Sequence, residues 1–338
     1  MKQIAEEVGV SISTVSRILN QDTSRKIKEE TRNKVLSVAK DMGYFNKNLF
    51  ALSTKEGQTL TIGCIFASDH ESFVSPFFSA LLAGMQAEIA ELSKTRNVMF
   101  YPINCTQEAG VQALNDLKLD AAVLLGRTTL DTISYLKIKV PYLVYAGLNP
   151  IGDMDEVICD AKAGVKVAVN NLYKLGHREF AFIGSVGGLV YNEYRYGGYD
   201  EALKELGVSE ANRIAIDCHL TVQDGFEATK RLIASSRIPS AVVCGNDMVA
   251  LGASRAFMEA NYSVPEDVSI IGFDDIEAAA YFKPSLSTIA VPKQDLGRFA
   301  IKLLADRLVN PRNYNISLRL PYRFIQRESS GRRKTNRG

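Results

Sequence analysis

From Thr59 onward the chain alternates short β-branched apolar runs with amphipathic helical stretches, and no other feature of its 338 residues constrains the fold as much. The first run is TLTIGCIFA, followed by a helical pattern over Phe77–Leu92. Strands VMFYPIN, AAVLLG and PYLVYAG come next, with a helix over Gln107–Leu117. Helix Ala161–Leu175, strand EFAFIGS, helix Tyr194–Leu206, strand IAIDC, helix Asp224–Ser235, strand SAVVCGN, helix Asp247–Asn261 and strand VSIIGFDD then succeed one another. Helix Lys293–Val309 and strands NISLRLPY and FIQRES close the series. Strands apolar on both faces belong in parallel sheets covered by helices on each side. About ten strands over about 270 residues are too many for one sheet, so the pattern predicts two doubly wound lobes. Ligands in such folds bind beyond the carboxyl ends of strands. Polar pairs stand at such ends: Ser68-Asp69, Asn246-Asp247 and Asp274-Asp275.

The first twenty residues, MKQIAEEVGVSISTVSRILN, have a different texture. Two short helical patterns flank a Gly9-Val10-Ser11 turn. The first would bury Ile4, Ala5 and Val8, the second Val15, Ile18 and Leu19. Gly9 permits a sharp corner, and Ser11 is a natural N-cap. This is a helix-turn-helix pattern, whose second helix lies in the DNA major groove. Ile12, Ser13, Ser16 and Arg17 are left on its outer face. A third helix is predicted over Lys28–Tyr44, with Val35, Val38, Ala39 and Met42 at helical spacing and Gly43 ending it. Residues 45–58 read as a linker containing a short helix over Asn48–Leu52.

Charge supports a division of labour. Net charge is +2, yet residues 1–55 carry ten basic and six acidic side chains, and residues 327–338 carry five basic and one acidic. The middle is therefore net acidic, which suits a nucleic-acid-binding head on a body that does not bind DNA. No apolar run suffices for a membrane span, and the polar N-terminus lacks the apolar core of a signal peptide, so the cytoplasm is expected. Cys64, Cys105, Cys159, Cys218 and Cys244 are scattered without a CxxC, as expected of reduced thiols, and His70, His177 and His219 form no metal-type cluster. No metal or cofactor is expected. No nucleophile–base set, P-loop, HExxH or GxGxxG is present, so no enzyme is expected, and Gly184-Ser185-Val186-Gly187-Gly188 reads as a structural turn.

Several motifs together resemble the LacI/GalR family of bacterial sugar-responsive repressors. They are Gly9-Val10-Ser11, Thr14-Val15-Ser16-Arg17, Leu19-Asn20, Glu30-Thr31-Arg32, Gly43-Tyr44, Leu175-Gly176-His177, Arg195-Tyr196-Gly197-Gly198-Tyr199, Asn246-Asp247, Gly272-Phe273-Asp274-Asp275 and Pro284-Ser285-Leu286-Ser287-Thr288-Ile289. The resemblance implies an all-α helix-turn-helix headpiece plus an α/β core of two doubly wound parallel-sheet lobes, like a type I periplasmic binding protein. The implied division is a headpiece at 1–44, a hinge at 45–58, a core at 59–330 and a basic tail at 331–338. Within the core, the chain would cross between lobes three times, placing about 59–157 and 290–321 in the N-lobe and 158–289 and 322–330 in the C-lobe. The resemblance also implies a homodimer on a pseudo-palindromic operator of double-stranded DNA. The tail GRRKTNRG has no Leu heptad and so indicates no tetramerising bundle.

Carried over by position, Ile12, Ser13 and Arg17 face base edges, Arg17 as a bidentate partner of guanine and Ile12 against a thymine methyl. Ser11, Thr14, Ser16 and Asn20 match phosphate contacts. The hinge departs from the family's Tyr-x-Pro-Asn, reading Tyr44-Phe45-Asn46-Lys47. Leu52, or Leu49 one residue out of register, is the candidate minor-groove wedge. Met1 falls where the family has a turn of helix 1, so two or three residues are expected to precede it.

For the effector, Arg195, Asn246 and Asp274 match the family's sugar pocket, with Asp160 and Asp69 as weaker matches. Carboxylates accept hydroxyl protons, while Arg and Asn donate to hydroxyl oxygens. Arg195 has an alternative partner in Glu193 or Asp200. The chain has no Trp, so Phe77 or Phe78, Tyr191 and Phe273 are the candidate stacking platforms. The Asp22–Glu30 stretch is closer to members answering galactosides, which favours a galactoside-type effector. The expected function is repression of a carbohydrate-utilisation operon, relieved by a small sugar bound between the lobes. The alternatives are a co-repressed regulator of purine-repressor type and a transport-associated sugar-binding protein.

Overall fold

The computed structural model describes residues 2–19, 27–41, 59–66, 75–187, 193–235 and 237–333. The headpiece contains α1 (Lys2–Val8), α2 (Ile12–Leu19) and α3 (Glu29–Asp41). Gly9 turns the corner at φ 72°, a conformation that would strain any residue with a Cβ. Ser11 caps α2: its Oγ accepts from the Thr14 amide at 3.1 Å, and its carbonyl accepts from Val15. Ile4, Ala5, Val15, Ile18 and Val35 form the small core, with Val8, Val10, Ile27 and Val38 packed around it.

The remainder builds two six-stranded sheets. The first lobe contains β1 (Leu60–Phe66), α4 (Pro76–Leu92), β2 (Val98–Asn104), α5 (Glu108–Asp116), β3 (Ala121–Leu125), α6 (Leu130–Lys139), β4 (Leu143–Gly147) and β5 (Asp155–Ile158). The second contains α7 (Ala161–Lys174), β6 (Phe180–Gly184), α8 (Arg195–Glu205), β7 (Arg213–Asp217), α9 (Val222–Ala234), β8 (Ala241–Cys244), α10 (Asp247–Glu259), β9 (Ser269–Asp274), α11 (Glu277–Tyr281) and β10 (Ser287–Ala290). The chain then returns through α12 (Lys293–Val309), which packs on α4 and on β3–β5. It adds β11 (Ser317–Arg319) to the first sheet and β12 (Arg323–Ile325) to the second. Crossings between lobes thus fall near residues 159, 291 and 321.

The first sheet runs β11-β5-β4-β3-β1-β2 and is parallel throughout; the second runs β12-β10-β9-β8-β6-β7 and is parallel except for β12. In each sheet the strand order reverses once near one edge, between β1 and β3 in the first and between β6 and β8 in the second. Such switch points open a crevice at the strands' carboxyl ends.

Two strands escaped the sequence pattern. Strand β5 reads DEVI, yet all four residues are buried. Asp155 is buried because it accepts from the Ile316 amide at 2.7 Å and pairs with Arg312 at 2.6 Å. Glu156 accepts from Ser317 and from the amides of Ile151 and Gly152. Strand β10 reads STIA and buries its Ser and Thr through partners in the C-terminal segment and in α10. Helix α6 was also unexpected; Thr129 caps it by accepting from the Thr132 amide at 3.2 Å.

Candidate functional site

The two switch points face one another across a cavity of about 280 Å³. Among the described residues the first lobe lines it with Ser75, Phe77 and Phe78 at the start of α4, Arg127 after β3, Tyr145 on β4 and Asn149 beyond it. The second lobe contributes Glu193 and Arg195 at the start of α8, Leu220 just before α9, Asn246 and Met248 at the start of α10, and Asp274 at the end of β9. Phe77 and Phe78 meet edge to face at 5.0 Å, giving the cavity an apolar wall. Tyr145 is 2% exposed and lies over Gly147, whose hydrogen leaves room: a Cβ there would come within 1.9 Å of the Tyr145 oxygen.

Arg195 is buried at the N-terminus of α8. Its Nε donates to Glu193 Oε1 at 2.9 Å, its Nη2 to Glu193 Oε2, and its Nη1 to the Gly245 carbonyl at 2.8 Å. The alternative pairing with Glu193 is therefore realised, and it coexists with a place in the pocket wall. Glu193 also stands 3.9 Å from Arg127 of the other lobe, so an ion pair spans the cleft. Burial pushes the Glu193 carboxyl up, but the charge and hydrogen bonds of Arg195, with the charge of Arg127, together hold it below the ordinary range.

Asn246 caps α10, its Oδ1 accepting from the Val249 amide at 2.9 Å, while its Nδ2 donates to the Leu220 carbonyl at 3.2 Å. Asp274 has φ 116° and Asp275 has φ 56°, in the left-handed region that disfavours side chains. Neighbouring groups hold this turn. Lys293 of α12 donates to the carbonyls of Asp274 and Asp275, and Arg327 pairs with the Asp275 carboxylate at 2.7 Å. The unusual backbone thus sits at the cavity wall, which Asp274 lines.

Of the effector residues expected from sequence, the structure brings Phe77, Arg195, Asn246 and Asp274 together, with Phe78 beside them. Asp160 is a correction: it is not among the lining residues. It caps α7, accepting from the Ala163 amide at 3.0 Å, and pairs with Arg319 at 3.4 Å. Phe273 is not a stacking platform either. It is 1% exposed in the core, below the Arg195 guanidinium at 6.0 Å from the ring centre. Asp69 and Tyr191 lie outside the described residues. Sequence reading missed Arg127, Tyr145 and Asn149. Arg127 directly follows AAVLLG, a strand recognised from sequence, so the rule that ligands gather at strand ends would have found it.

In the headpiece, Ile12 is 49% exposed, the capping Ser11 and Ser13 on α2 are exposed, and Thr14, Ser16 and Arg17 are half-buried. Ile12 thus lies outside the headpiece core, on the outer face expected of it. Asn20, Leu49, Leu52 and the 45–58 hinge lie outside the described residues. Among the described residues no group of His, Cys, Asp and Glu could hold a metal ion, and no helix is long and apolar enough to cross a membrane.

This fold and pocket define a ligand-binding α/β core of two lobes, joined in one chain to a DNA-reading headpiece. Residues 1–46 match the family described as bacterial regulatory proteins, lacI family, and residues 169–330 match the periplasmic binding protein-like domain. The chain is 30% identical over 340 residues to the ribose operon repressor of Escherichia coli, covering 98% of this chain and 99% of that protein. It is 29% identical to the transcriptional repressor PurR of Klebsiella pneumoniae, over 97% of this chain and 96% of that one. Among solved structures, a LacI family transcriptional regulator from Enterococcus faecium with bound ribose superposes with a TM-score of 0.69 at 29% identity. That match covers 81% of this chain and all of the other. The chain belongs to the lacI family of bacterial regulatory proteins.

Proposed function

We propose that this protein is a repressor of a carbohydrate-utilisation operon whose grip on its operator is set by a small uncharged sugar, a pentose such as ribose, held between the lobes. The observation that carries this reading is the cavity at the two switch points, whose lining alternates guanidinium, carboxylate and amide groups around a Phe77–Phe78 wall. Such groups bracket adjacent hydroxyls, and an aromatic wall packs on the apolar face of a sugar. Its volume of about 280 Å³ sits at the small end for ligand pockets, which favours a monosaccharide over the galactoside expected from sequence. The names of the ribose operon repressor and of the ribose-bound regulator support the same class.

On the DNA side, Arg17, Ile12 and Ser13 read bases, while Ser11, Thr14, Ser16 and Asn20 hold phosphates. Residues 45–58 act as the hinge, with Leu52 as the minor-groove wedge. Two copies pair so that two headpieces meet a pseudo-palindromic operator in the cytoplasm. The protein performs no catalysis in this reading. The test is a gel shift of purified protein on DNA from upstream of its own gene, across a panel of pentoses, hexoses and purines. Release by a pentose supports the reading. Tightening by a purine would instead identify a co-repressed regulator, and indifference to every compound would remove the effector half of the proposal.

A further inference from the structure

Two guanidinium groups stand in the pocket wall, Arg127 from one lobe and Arg195 from the other, with the Glu193 carboxylate between them. The side chains of all three are a tenth exposed or less: 10% for Arg127, 5% for Arg195 and 8% for Glu193. Charge in so dry a place must be balanced. Among the described lining residues the only ionic groups are these three and Asp274, two cations against two anions. A guanidinium fork is the side chain best matched to a carboxylate, which it grips bidentately. Here Glu193 already occupies the Nε and Nη2 edge of Arg195.

We propose that Glu193 is the residue that restricts this pocket to uncharged sugars and excludes sugar acids. The inference rests on the pocket being the effector site proposed above. A ligand carboxylate entering here meets an Arg195 fork whose Nε–Nη2 edge holds Glu193 and whose Nη1 holds the Gly245 carbonyl, beside a fixed negative charge that also faces Arg127. A hydroxyl group meets the reverse: Glu193 accepts a hydrogen bond from it and the guanidinium groups donate to its oxygen. Removal of the Glu193 charge leaves the described lining with two cations and one anion, an arrangement suited to an acid. Because Arg127 and Glu193 come from different lobes, the same pair also registers lobe closure, so an acid that displaced Glu193 would work against the closed cleft.

The experiment titrates ribose and ribonate, its carboxylate counterpart, into full-length wild type, Glu193→Gln, Glu193→Asp and the Glu193→Gln/Arg127→Gln double variant by calorimetry, with thermal melts alongside. Wild type and Glu193→Asp are expected to favour ribose over ribonate by about tenfold or more, since both keep the repelling charge. Glu193→Gln reverses the preference, and the double variant loses ribonate again. Glu193→Ala, which removes the charge without placing an amide, is the second variant if Glu193→Gln does not fold, and it reverses the preference too. An unchanged ribose-to-ribonate ratio in the uncharged variants, or wild type binding ribonate as tightly as ribose, overturns the inference. If wild type binds no ribose and the uncharged variants still gain ribonate, the role of Glu193 stands and the pentose reading of the effector falls.

Discussion

Thr288 Oγ1 donates a 2.6 Å hydrogen bond to Asp247 Oδ1, tying the first residue of α10 to strand β10, from which the chain crosses back to the first lobe. Asp247 Oδ2 also accepts from the Ile276 amide at 2.8 Å, just beyond the Asp274-Asp275 turn. One fully buried carboxyl thus fixes two pocket elements, the Asn246 cap and the Asp274 turn.

Burial lifts the Asp247 pKa from 3.8 to about 7; bonds from Thr288 and Ile276 and the charge of Lys293 pull it down, and the charge of Asp275 pushes it up. The folded protein therefore holds a proton here that the unfolded chain releases between about pH 4 and pH 7. Its contribution to stability is largest at the acid end of that window and declines as pH rises through 7. Asp247→Asn cannot titrate, so melting temperatures of the variant measured at pH 5, 6, 7 and 8 should lose this decline. A slope identical to wild type would show that Asp247 does not titrate in that range.

His177 predicts the opposite slope. Its Nδ1 bonds Ser240 Oγ and its Nε2 the Gly331 carbonyl, both at 3.0 Å, which staples the C-terminal segment to the second lobe. Burial lowers its pKa, the Gly331 bond opposes that, and Arg333 and Arg178 lower it further. A lowered pKa means that the neutral ring's contribution is complete above the ordinary His value and is lost as pH falls through the folded one. His177→Ala should cost about 1–3 kcal/mol at pH 7.5. Chemical denaturation of both proteins at pH 7.5 and pH 5 should show the gap narrowing in acid; a constant gap would contradict the buried neutral ring.

Asn246 holds two jobs that substitutions separate. Asn246→Ala removes the α10 cap and should cost about 1 kcal/mol of stability, with sugar affinity falling as well. Asn246→Asp keeps a capping oxygen and should keep that stability, yet it loses the amide donor and should still bind sugar more weakly. Calorimetry beside denaturation gives both readings. Full affinity in Asn246→Asp would confine the residue to capping.

Arg17→Ala tests base reading in the headpiece. It should cost about 1–3 kcal/mol on the cognate operator and flatten the preference among single-base variants, as measured by competition binding. A uniform loss across all sequences would reassign Arg17 to phosphate contact.

Much of this architecture is legible because burial follows the local sequence, as continuous apolar runs in the strands and as helical spacing in the headpiece. TLTIGCIFA and VSIIGFDD declare buried strands, and Ile4, Val15 and Ile18 declare the headpiece core. DEVI and STIA are not legible because their polar side chains are buried by partners far away in sequence: Arg312 reaches Asp155, Asp247 reaches Thr288, and Ser329 reaches Ser287. The same limit governs the pocket. Arg195, Asn246 and Asp274 stand in recognisable motifs and Arg127 stands at a recognisable strand end, whereas its pairing with Glu193 exists only once a lobe more than sixty residues away in sequence delivers that carboxylate. Asp160 shows the converse, since an acid before a helix is first of all a cap.

In the proposed function one small sugar between the lobes sets the hold on DNA. The most direct measurement is operator affinity of the full-length protein as ribose is titrated, with the Arg195→Ala variant in parallel. On the proposed reading ribose weakens the wild-type complex in a saturable way, by about 5–150-fold at most, and leaves the Arg195→Ala complex unchanged. Equal operator affinity for wild type with and without ribose and the other pentoses would contradict it.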